Sequence, residues 1–124
     1  MKCLCVRQPW AELIRRGEKT IELRTWLTHY RGPLLVVSAQ RRSPDHPEID
    51  GERGALICWV ELVDVRPATA EDAARALAPV DVGRMYAWEF RGARDLPPLP
   101  MKGQLSLWTP DEFVRHVVRK ALAA

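Results

Sequence analysis

Apolar and polar positions change their period several times along this chain, and each change marks an element. Cys3 to Val6 is a short apolar run that predicts a strand. Trp10, Leu13 and Ile14 recur at helical spacing behind Pro9, whose missing N–H suits a first helical position. Arg15, Arg16 and Gly17 end that helix, with cations at its negative pole and a glycine for the left-handed turn, so residues 9–16 read as a helix. From Thr20 the period drops to two. Ile21 and Leu23 share one face of a strand, and Thr20, Glu22 and Arg24 share the other. Trp26 to Gly32 is a polar, aromatic loop, and the unbroken apolar run Leu34 to Ser38 predicts a central strand.

Gln40 to Arg53 is rich in charge and broken by Pro44, Pro47 and Gly51, so it reads as a solvated, mobile loop. Ala55 to Val65 is a long β-prone run. Thr69 to Leu77 reads as a second helix with Glu71 and Asp72 in its first turn, and Met85 to Phe90 as a further strand. The prolines of Asp95 to Pro100 exclude an interior strand, and Leu105 to Trp108 predicts the last strand. Thr109-Pro110-Asp111-Glu112 has the form of a capping box that opens a third helix, with Phe113, Val114, Val117, Val118 and Leu122 as its buried face. Several strands without regular βαβ alternation predict an α+β chain, a small mixed β-barrel flanked by short helices.

The length of 124 residues is enough for one domain spanning residues 1–124 and too short for two. A charge of +3 permits a polyanionic partner without demanding one. Cys3, Cys5 and Cys58 form no even framework, so they are expected as small apolar thiols in a reducing cytoplasm. No stretch is long and apolar enough for a membrane span, and the first apolar run is too short for a signal peptide. Scattered His29, His46 and His116 give no ligand set, so neither a metal nor a cofactor is expected.

Candidate chemistry concentrates in Gly17 to Arg24. Lys19 lies at the bend before the strand, close to Glu22 and Arg24 on its polar face. A Lys beside a Glu in a shielded groove could orient phosphate or work as an acid–base pair, and a cross-strand ion pair on a solvated face would look the same. Trp26 shares its loop with His29, Tyr30 and Arg31, a mixture that could stack unpaired bases or cover a barrel mouth.

Four blocks together resemble the ASCH domain family of the PUA-like superfamily. They are Arg7-Gln8-Pro9-Trp10-Ala11, the GxKxxExR segment from Gly17 to Arg24 with Trp26 behind it, Tyr30-Arg31-Gly32-Pro33-Leu34 with the long Gly54 to Asp64 segment, and Pro98-x-Pro100-x-Lys102-Gly103 with Leu107-Trp108. The resemblance implies a β-barrel whose cleft is walled by the GxKxxExR segment and binds RNA or a nucleobase-like ligand. Arg7, Gln8, Lys19, Glu22, Arg24, Trp26, Arg31, Ser38 and Lys102 are then the expected binding residues. One branch of the family hydrolyses N4-acetylcytidine through a Thr at the position that Glu22 holds here, and Glu cannot form the same ester intermediate. If the chain is a hydrolase, for a modified nucleoside or for RNA, Glu22 is the expected base and Lys19 its electrostatic partner. The charged loop 40–53 offers a different reading, as a docking site for a protein partner.

Overall fold

The computed structural model describes residues 1–78 and 81–124. Five strands form one sheet in the order β1-β3-β4-β5-β2: β1 (Lys2–Val6), β2 (Ile21–Arg24), β3 (Gly32–Ser38), β4 (Ala55–Pro67) and β5 (Tyr86–Pro100). β1 pairs parallel with β3, and every other pairing is antiparallel. Register shifts interrupt β3–β4 once and β4–β5 three times. Such bulges bend a strand and increase its twist, which curls the sheet into a half-barrel with β1 and β2 as its edges.

The unbroken apolar run of β3 is explained by burial on both faces. Leu34 and Val36 point into the half-barrel beside Leu4, Val60, Trp88 and Phe90, where α1 (Trp10–Arg15) adds Ala11 and Ile14. Leu35 and Val37 point outward and are covered by Val114 and Val118 of α3 (Glu112–Ala123). α2 (Ala70–Ala76) seats Ala76 against Ile21 and Ala87.

Three expectations need correction. The strand expected to end at Phe90 runs on to Pro100, so residues 95–100 belong to β5, though as an edge and not as the interior strand their prolines exclude. Pro97 and Pro98 are tolerated because they fall where the β4–β5 register jumps from Cys58↔Asp95 to Leu56↔Leu99, and this half of β5 pairs with β4 alone. Leu105 to Trp108 is not a strand: Trp108 forms an isolated bridge to Cys3, and the residues before it cross the sheet edge as an irregular strap. The third helix is capped by Asp111, whose Oδ1 accepts from the Val114 N–H at 2.9 Å, rather than from Thr109. Phe113 therefore lies in the first turn on the solvent side and is exposed.

The 40–53 loop is also more ordered than its composition implies. The Arg42 guanidinium gathers the carbonyls of Asp45, His46 and Ile49, and the Ser43 N–H donates to the Gln8 carbonyl at 2.7 Å. Gln8 is fully buried between the loop and α1: its Nε2 donates to the Glu52 carbonyl at 2.6 Å, and its Oε1 accepts from the Glu12 N–H at 2.8 Å.

Candidate functional site

A cavity of about 720 Å³ opens at the seam between the two sheet edges. Leu4, Cys5 and Arg7 from β1 and its end form one wall, and Glu22, Leu23 and Arg24 of β2 form the other. Trp10 and Trp26 add aromatic surface, and the strap from Lys102 to Ser106 crosses the mouth. Gly103 is needed there, because a Cβ would collide with the Cys5 thiol that the strap passes over.

Arg24 joins the two walls. Its Nη2 donates to the Cys5 carbonyl on the opposite edge strand at 2.9 Å and to Glu22 Oε2 at 2.8 Å. Glu22 Oε1 stands 3.2 Å from Lys19 Nζ. The carboxylate is thus gripped at both oxygens. Burial would raise its pKa, but the charges of Lys19 and Arg24 outweigh burial and hold it below the ordinary Glu value. Burial moves Lys19 down as well, because it has one acid to oppose desolvation while Arg24 repels it.

Trp26 is set by Trp88. The rings meet edge to face with centroids 4.8 Å apart, and the buried Trp88 indole N–H donates to the Trp26 carbonyl at 3.2 Å. Trp88 pairs with Glu22 across β5–β2, so one register places the carboxylate and, through Trp88, the neighbouring aromatic. Trp88 lies within the strand expected over Met85 to Phe90, and the pairing of that strand with the GxKxxExR segment, which no local pattern shows, brings it to the site.

The ASCH domain profile matches residues 4–100. The chain belongs to the ASCH domain family. Activating signal cointegrator 1 of Homo sapiens is 49% identical over 140 residues, and that of Mus musculus 45%; each alignment covers 97% of this chain. The chain spans 24% of the length of those relatives. A crystal structure of the ASCH protein of Zymomonas mobilis superposes with a TM-score of 0.64 at 10% identity, over 96% of this chain and 93% of that one. A mutant of that protein gives 0.67 at 14% identity, over 95% and 96%. At these identities the likeness is one of fold.

The ASCH cleft gathers some of the expected residues and leaves others out. Arg7, Glu22, Arg24, Trp26 and Lys102 line it. Lys19 sits behind it, with a side chain only 3% exposed. Gln8 is the strut under the 40–53 loop, and Ser38 is sealed in the core, its hydroxyl bonded to the Ala55 backbone. Arg31 lies elsewhere, holding the carbonyls of Thr28, Tyr30 and Val65. Thr20, the remaining hydroxyl of the motif, faces a small hollow beside Gly92 and bonds Arg75. Sequence reasoning missed Trp10 and the 103–106 strap as cleft-lining groups.

The carboxylates of the ASCH fold also set its behaviour in acid. Hydrogen bonds from Arg15 lower Glu12; the Thr69 N–H and the Arg66 charge lower Asp72 against its burial; Glu22 is lowered as described. A depressed carboxyl contributes stability above its unfolded value, and that stability is lost as pH falls through the lower folded value. Urea unfolding is expected to give a midpoint that is level near neutrality and drops below about pH 4; a midpoint unchanged down to about pH 2 would contradict these pairings.

Proposed function

We propose that the cleft binds single-stranded nucleic acid, most simply RNA. An unpaired base enters between Trp26 and Glu22, and the adjoining phosphates rest on Arg7 and Lys102. The observation that carries this reading is the division of charge in the cavity. Its inner cation, Arg24, is already committed to Glu22 and Cys5, whereas the exposed Arg7 and Lys102 at the rim form no ion pair among the described residues. An anion is therefore favoured at the rim, and a neutral group with N–H donors and a flat face is favoured inside. Glu22, acceptor-only while ionised, suits an exocyclic amine. The three free thiols suit the reducing cytoplasm.

Hydrolysis is the weaker reading. A carboxylate held below the ordinary Glu range is a poor general base near neutrality. Lys19, buried behind Glu22, is badly placed to meet a developing negative charge in the cavity. Photocrosslinking to short single-stranded RNA separates the proposal from a binding site on the charged loop. Crosslinked peptides are expected to contain Trp26 and Lys102. Crosslinks confined to residues 40–53 would overturn the assignment.

A further inference from the structure

Lys19 is the least exposed cation of the motif, and its ammonium sits among two acceptors and an aromatic ring. Nζ donates to the Ala76 carbonyl at the end of α2 at 2.6 Å. It meets Glu22 Oε1 at 3.2 Å. It lies 5.1 Å from the centre of the Trp10 ring, which itself lines the cavity. Two acceptors thus engage the three donors of the ammonium, and its buried seat is outside the lining of the large cleft, bordering instead the small hollow that Thr20 faces. Glu22 presents the complementary picture: Lys19 fixes one oxygen, Arg24 the other, and the carboxylate still borders the cavity.

We propose that Lys19 is a positioning residue: it makes no contact with the ligand and holds the Glu22 carboxylate as a fixed acceptor for an N–H-bearing edge. The inference rests on the cleft being the binding site, and it alters what the motif Lys does there. The charged and titratable groups around Glu22 are Lys19 and Arg24 at its oxygens, Cys5 and Arg7 on the facing wall, and Lys102 on the strap. His46 reaches the cleft only through the edge of Trp10. Removing Lys19 takes away one of the two positive charges at its oxygens, so the carboxyl of Glu22 should protonate at higher pH.

The test combines a double-mutant cycle with a titration that needs no ligand. Wild type, Lys19→Met, Glu22→Gln and the double variant are titrated with a short cytosine-rich single-stranded RNA from about pH 5 to about pH 8. Lys19→Met is expected to weaken binding about tenfold at the acidic end and less at the alkaline end, a slope that wild type lacks. The double variant should bind no worse than Glu22→Gln alone. Additive losses would mean that Lys19 touches the ligand by itself and would overturn the proposal. If wild type binds no RNA, the functional reading fails, and carboxyl carbon NMR of the free proteins still decides the role of Lys19. The Glu22 midpoint should rise in Lys19→Met, and an unmoved midpoint refutes the positioning role. Lys19→Gln, which removes the charge and keeps N–H donors, serves both measurements if the Met variant does not fold.

Discussion

Replacing Arg24 with Met is expected to destabilise the fold by about 2–3 kcal/mol and to remove binding in the cleft. The magnitude follows from the burial of its partner. Glu22 has a side chain only 11% exposed, so loss of Arg24 leaves a desolvated carboxylate with Lys19 alone. The same substitution removes the bond to the Cys5 carbonyl, a direct link between the two edges of the half-barrel. Both cleft walls are affected together, which is why stability and binding should fall in one variant. Urea unfolding and RNA titration of the purified variant check the two effects. A variant with wild-type midpoint and affinity would show that Arg24 neither ties the seam nor shapes the site.

The second large effect separates binding from stability. Arg7 and Lys102 are exposed, and neither forms an ion pair among the described residues, so replacing both with Ala should change stability by no more than about 0.5 kcal/mol. Binding should respond strongly. Each phosphate neutralised on a single strand contributes about 0.7 to the logarithmic salt slope, so the double variant should lose about 1.4 from that slope. Loss of affinity with an unchanged slope would mean that the two residues shape the strap and meet no phosphate. Unchanged affinity would remove them from the interface.

The parts of the site governed by local period were legible in the sequence. Alternation from Ile21 to Arg24 put Glu22 and Arg24 on one polar face, and that face lines the cleft. The unbroken apolar run of β3 marked a strand buried on both sides. What escaped reading depends on partners distant in the chain. Lys19 reads as a cation at the bend before the strand, but a carbonyl 57 positions away and the Trp10 ring fix its ammonium. Gln8 and Ser38 carry the polar groups of binding residues, yet their bonds run to Glu52 and Ala55, across a loop whose path no short pattern specifies. The prolines of β5 were a true signal: they exclude an interior strand, and this half of β5 is an irregular edge that pairs with β4 alone. Leu105 to Trp108 has the composition of a strand but finds a backbone partner only at Trp108, which leaves the strap free to cross the cleft mouth.

The most direct test is fluorescence anisotropy of wild-type protein with a short labelled single-stranded RNA at two salt concentrations. The charge division in the cleft predicts saturable binding that weakens as salt rises and that an excess of unlabelled strand displaces. Absence of saturable binding at the lower salt concentration would contradict the nucleic-acid reading and leave the cleft to a small ligand.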